Sequence, residues 1–220
     1  MLKEVIFDMD GLLIDTEMIS YHLYKEIIEK NGFEFPLQEY VKDFAGRQLI
    51  TSLNWIKDTY HIDMDIDYEF DHFHQRELEI IEQDGADLKP GARELLEYLK
   101  KNNYKIILAT SSLENRAKKL LKQHQVLDYF DDFVFGPDVE HGKPFPDVFL
   151  KACEKGNVDV SEALVLEDSE AGIQAAHSAN IPVICIPDLK QPSSDYANKC
   201  AAILKSLDCV IDYIENQKDF

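Results

Sequence analysis

The chain has 220 residues, 45% of them hydrophobic, which suffices for one sizeable domain or for a core domain carrying a smaller inserted one. Lys and Arg total 23 against 42 Asp and Glu, a formal net charge of −19. That sign argues against nucleic-acid or anionic-membrane partners, because nothing here would release counterions from phosphates.

The first element is a short apolar run, Val5-Ile6-Phe7, which reads as a β-strand. It stops at Asp8, Asp10 follows, and Gly11 permits a turn there. Helical patterns come next, over Glu17–Lys30 with Thr16 as a candidate cap and Asn31-Gly32 as the stop. Phe33–Pro36 reads as extended or turn-like, and two further helices are expected over Arg47–Tyr60 and Tyr68–Gln83. The acid-rich stretch from Asp63 to Asp71 reads as a solvated helix face.

The character changes at Asp84-Gly85 and Pro90-Gly91. From there helices expected at 92–102, 114–123, 147–155 and 171–178 alternate with strands at 105–110, 132–135, 163–167 and 182–186. The tail reads as a loop, a short strand at 202–204 and a helix at 206–216. Such alternation predicts an α/β fold: a doubly wound parallel sheet of Rossmann-like form. Residues 16–85 then form an α-helical domain inserted into a core made of 1–15 and 86–220.

The chemistry-bearing residues follow the strands. Asp8 and Asp10 follow the first. Thr110, Ser111 and Ser112 follow KIILA, and Glu167, Asp168 and Ser169 follow ALVL. A loop carries Gly142-Lys143-Pro144. In a parallel sheet all of these strand ends open on one edge. Carboxylates, hydroxyls and one ammonium together suit phosphate chemistry with a hard cation such as magnesium. Taken singly each is ambiguous: Thr-Ser-Ser is often a helix cap, and a lone lysine is usually a surface residue. The segment Gly136–Lys143 is not a nucleotide-binding P-loop, since its glycine spacing is wrong and Pro144 stands where Ser or Thr is required.

Cys153, Cys185, Cys200 and Cys209 form no C-x-x-C pair, and Cys185 lies in the apolar run VICI as a candidate core residue. No signal-like segment precedes the first strand, and no apolar stretch is long enough to span a bilayer. A cytoplasmic protein is expected.

Four motifs in order, FDMDGLLIDTE (7–17), LATSS (108–112), GKPFPDVFL (142–150) and LEDSEAGIQAA (166–176), resemble the haloacid dehalogenase superfamily. The branch they resemble includes β-phosphoglucomutase and small sugar-phosphate phosphatases. The resemblance implies that Asp8 is the nucleophile taking a phosphoryl group and that Asp10 is the general acid/base. It implies that Thr110, Ser111 and Ser112 bind the transferring phosphate and that Lys143 pairs with it and with Asp8. Mg2+ would be held by Asp8, Asp10 through its carbonyl, and Asp168, with Glu167 in support. The helical block would be the family's cap, hinged near 14–16 and 85–88, with Gly46 and Arg47 contacting substrate. His74 and Arg76, in the last cap helix, read as surface residues.

The dehalogenases that name the superfamily need no magnesium and lack the second aspartate, so the Asp8–Asp10 pair favours phosphoryl transfer. The mutases carry a histidine at the position of Ser20, and His22 lies on a different helix face. Ser111 and Glu114 also depart from the mutase pattern. A phosphatase acting on a small phosphorylated metabolite, working as a monomer, is the leading expectation. A β-phosphoglucomutase-type isomerase and a non-catalytic phosphate-binding protein are the alternatives.

Overall fold

The computed structural model describes residues 1–45, 47–83 and 85–216. The chain divides into two compact units, Met1–Asp15 with Asp87–Phe220, and Thr16–Ala86.

The first unit is built on a six-stranded sheet of order β3-β2-β1-β4-β5-β6, in which every pairing is parallel. The strands are β1 Glu4–Phe7, β2 Lys105–Ala109, β3 Asp132–Val134, β4 Ala163–Glu167, β5 Val183–Cys185 and β6 Ala202–Ile203. β1, β4 and β5 are buried along their whole length, as expected for inner strands of a parallel sheet covered on both faces. The chain builds β2 and β3 outward on one side of β1 and β4, β5 and β6 on the other, and that switch between β1 and β4 opens a crevice beyond their carboxyl ends. Registers set the level of each strand end. Phe7 lies opposite both Leu108 and Leu166, so Asp8 falls level with Glu167, and the Asp8 N–H donates to the Leu166 carbonyl at 3.1 Å.

Side chains alternate across the sheet. Ile6, Ile107, Ala109, Val165, Val183 and Cys185 share one buried cluster with Phe149, Ile173 and Ala176 of the covering helices. Phe7 faces the other way, edge-on to Phe130 at 6.0 Å between ring centroids.

The second unit is helical, with α1 Glu17–Lys30, α2 Leu37–Asp43, α3 Leu49–Tyr60 and α4 Ile66–Gln83. The helices of the sheet unit are α5 Ala92–Lys101, α6 Glu114–Gln123, α7 Asp147–Gly156, α8 Glu170–Ser178, α9 Ser194–Ala197 and α10 Cys209–Asn216. Aromatic side chains fill the helical unit: Tyr24 packs on Tyr40, Phe44 and Phe73 at 6.0, 5.2 and 4.8 Å, and the Tyr21 hydroxyl donates to the Phe35 carbonyl at 3.1 Å.

One helix goes unforeseen and one expectation is corrected. Leu37–Asp43 is helical although the sequence shows no clear period there; it is short, follows Pro36 and buries only Tyr40. Thr16 precedes α1 but is not a side-chain cap, because its backbone is αR, away from the extended conformation in which a cap hydroxyl reaches the helix N–H groups. No described helix is long and apolar enough to cross a membrane.

Candidate active site

Asp8, Glu167 and Asp168 lie at the carboxyl ends of β1 and β4, and each offers an oxygen within 4.8 Å of the others. Lys143 completes the cluster. Its Nζ donates to Asp8 Oδ1 and to Glu167 Oε1, both at 2.6 Å, and rests 5.0 Å from the centre of the Phe149 ring. Lys143 and Asp8 are each only 7% exposed, and Glu167 is fully buried. One ammonium therefore sits against several carboxylates out of water, where charges act strongly on each other.

The electrostatics follow. Burial pushes the Asp8 carboxyl up to about 7; Lys143 pulls it down and Glu167 pushes it further up. For Lys143 burial would disfavour the ammonium, but Asp8 and Glu167 outweigh it and hold the lysine above its ordinary range.

Glu167 is fixed from several sides. Its Oε2 accepts from the Asp168 N–H at 2.9 Å, the Ser169 N–H at 2.8 Å and the Ser169 hydroxyl at 2.9 Å. Ser169 also caps α8, accepting from the Gly172 N–H at 3.1 Å. Two glycines make room for these acids. At Gly172 a Cβ would overlap the Glu167 carboxylate, and at Gly11, whose φ is +80°, a Cβ would overlap that of Asp168.

The donor set fits a hard divalent cation. All three side chains offer carboxylate oxygens, with no sulfur or imidazole, as Mg2+ requires. Glu167 is the most committed of the three, since Lys143 and three further donors already occupy it.

Asp10, beside this cluster, pairs with Arg116 of α6. Arg116 Nη2 lies 2.8 Å from Asp10 Oδ1 and Nη1 donates to Oδ2 at 3.0 Å, while the Ser112 hydroxyl donates to Oδ2 at 2.7 Å. Thr110 is buried and its Oγ1 accepts from the Ser112 N–H at 3.1 Å, whereas Ser111 is exposed. In the helical unit Arg47 is exposed, with its guanidinium 6.0 Å from the Phe44 ring centre, and Gly46 lies outside the described residues. Arg76 of the same unit is engaged by Glu79 at 2.6 Å.

A family model described as haloacid dehalogenase-like hydrolase matches residues 5–186. The chain belongs to the haloacid dehalogenase-like hydrolases. It is an enzyme of that family, a hydrolase of its phosphatase branch. A phosphorylated carbohydrates phosphatase from Thermotoga maritima is 33% identical over 188 residues, which cover 82% of this chain and 82% of that one. A β-phosphoglucomutase from Bacillus subtilis is 32% identical over 186 residues, covering 82% and 81%. Among solved structures, a haloacid dehalogenase-like protein from Agrobacterium tumefaciens has a TM-score of 0.86 across 100% of both chains at 22% identity, a likeness of fold.

For this hydrolase the sequence motifs point to Asp8, Lys143, Glu167 and Asp168, and the fold brings those four together. They do not point to Arg116, and Ser169 and Gly172 lie inside the LEDSEAGIQAA motif with no role assigned to them. Arg116 looks like any charged residue in a helix's first turn.

Proposed function

We propose that this protein is a magnesium-dependent phosphatase that hydrolyses a small phosphorylated metabolite, a sugar or polyol phosphate, through an aspartyl-phosphate on Asp8. The observation that carries the reading is the buried bridge of Lys143 between Asp8 and Glu167, at 2.6 Å to each. A nucleophilic carboxylate approaching a phosphate dianion meets like charge, and a fixed cation at that carboxylate offsets it. The T. maritima relative, a phosphatase of phosphorylated carbohydrates, supports the substrate class.

In this reading an Asp8 oxygen attacks phosphorus, the Asp8–phosphorus bond forms, and the ester P–O bond breaks. Asp10 gives a proton to the departing alkoxide oxygen. A water molecule that yields its proton to Asp10 then attacks phosphorus, frees inorganic phosphate and restores Asp8. Thr110, Ser111 and Ser112 hold the phosphoryl oxygens. Mg2+, held by Asp8, Asp168 and the Asp10 carbonyl, would supply further neutralisation of phosphate charge. Glu167 orients Lys143 and Ser169.

The B. subtilis relative favours a second reading, a β-phosphoglucomutase-type isomerase. Ser20 at the position of the mutases' histidine weighs against it. The test is phosphate release from a panel of phosphorylated metabolites with Mg2+, with Asp8→Asn in parallel. Release from sugar or polyol phosphates, lost in the variant, is the expected result. If no phosphate appears but β-glucose 1-phosphate is isomerised with a bisphosphate activator, the mutase reading replaces it. If neither occurs, the reading fails.

A further inference from the structure

Asp10 is gripped on both of its oxygens. The Arg116 guanidinium reaches Oδ1 with Nη2 and Oδ2 with Nη1, at 2.8 and 3.0 Å, a fork matched to a carboxylate. The same Nη1 donates to the Ser112 hydroxyl at 2.7 Å, and that hydroxyl donates to Asp10 Oδ2 at 2.7 Å, closing a ring of three residues. Arg116 is 8% exposed, which is uncommon for an arginine unless it is paired. Backbone contacts hold Asp10 as well: it bridges to Ile14, and the Gly11 N–H donates to the Ile14 carbonyl at 2.9 Å. Main chain and side chain are thus tethered separately.

We infer that Arg116, acting with Ser112, is the positioning residue of Asp10: it fixes the carboxylate in the orientation from which Asp10 exchanges protons with the leaving oxygen and with the attacking water. The inference rests on the phosphatase reading above. Arg116 carries no proton in the reaction and forms no bond to the phosphoryl group; its effect passes through Asp10, directly and by way of the Ser112 hydroxyl. A lysine in its place would present one point charge and could not hold both oxygens.

The chemistry gives a specific test. Nitrophenolate leaves phosphorus without a proton, so a misplaced Asp10 hardly slows phosphorylation of Asp8 by p-nitrophenyl phosphate. Attack by water still needs Asp10 as base. Arg116→Gln is therefore expected to show a burst of about one nitrophenolate per active site, followed by turnover slowed on the order of 10- to 100-fold, a part of what general acid–base catalysis supplies. With an alkyl phosphate, whose alkoxide needs the proton, the same variant should lose the burst and at least as much turnover.

The deciding measurement is the double variant. In an Asp10→Asn background, Arg116→Gln should cost almost nothing further, because the group it positions is already gone. An equal cost in both backgrounds would overturn the inference and make Arg116 a direct substrate contact. Burst amplitude counts folded sites, so a folding defect appears as a smaller burst with unchanged kinetics, which also counts against the inference. A wild-type enzyme inactive on every phosphate ester would overturn the phosphatase reading and this inference together. An active wild type with an unaltered Arg116→Gln would overturn this inference alone.

Discussion

Strand β1 buries a carboxylate at each end. Asp8 lies just beyond its carboxyl end and Glu4 begins it; both share the sheet face that carries Ile6, the face that α7 covers. Burial pushes both acids up to about 7. The two ends otherwise differ. Asp8 has Lys143 at 2.6 Å, with Glu167 and Asp168 grouped around it. Neither Glu4 oxygen has a hydrogen-bond partner among the described residues. Lys105 lies opposite Glu4 in the sheet, but its ammonium donates to the Gly156 carbonyl instead. Burial, opposed by Lys105 and aided by Asp131, thus raises an acid that has no hydrogen bond. A reactive carboxylate needs the cation and the neighbouring acids as well.

The sharpest way to break the comparison is to neutralise each acid in turn. Asp8→Asn removes the proposed nucleophile, and turnover should fall by more than about 1,000-fold. Glu4→Gln should leave kcat and KM within roughly twofold, because nothing at that end of the strand touches the crevice. Steady-state kinetics on one substrate measures both. Comparable losses in the two variants would mean that Asp8 acts as a buried structural acid like Glu4.

How much of this is legible in the sequence follows from what each element needs from distant residues. The sheet and its strand ends are local: apolar runs stop at polar residues, and the alternation with helices determines that the ends share an edge. Asp8, Glu167, Asp168 and Lys143 are therefore readable in advance. Glu4 is not, since its neighbours in sequence give no reason to bury it; helix α7 does so, far along the chain, by ending at Gly156. Arg116 is hidden for the same reason, because its partner Asp10 lies 106 positions away. α2 escapes because seven residues with one buried side chain carry too little periodicity.

A matched pair of glycines sharpens the contrast at a smaller scale. A Cβ at Gly172 would overlap the Glu167 carboxylate, and one at Gly156 would overlap that of Glu4. Glu167 cannot move without giving up Lys143, the Asp168 and Ser169 N–H groups and the Ser169 hydroxyl. Glu4 has no hydrogen bond to lose. Gly172→Ala should therefore lower turnover about tenfold or more and cost roughly 2–3 kcal/mol of stability, within the range for disrupting a buried polar network. Gly156→Ala should cost at least about 1 kcal/mol less and leave turnover near wild type, helped by alanine's better helix propensity. Thermal or urea unfolding alongside initial rates checks both; equal penalties would mean that the hydrogen bonds of Glu167 contribute nothing.

The last contrast is a dependence of stability on pH that Glu4 should carry. Its folded-state pKa is raised, from 4.5 to about 7, so between those values the folded protein holds a proton that the unfolded chain has released. Stability must then fall as pH rises through that window, the reverse of the behaviour of a salt-bridged carboxylate. The full loss corresponds to roughly 3 kcal/mol at most. Glutamine mimics the protonated acid and cannot ionise, so Glu4→Gln should match wild type near pH 4 and exceed it above pH 7. Asp8 would titrate in the same window, and both proteins are therefore compared in an Asp8→Asn background. Urea unfolding from pH 4 to 8 is the measurement. If stability instead rises through this range and glutamine does not flatten it, Glu4 is ionised in the fold, and the two ends of β1 differ less than their hydrogen bonds indicate.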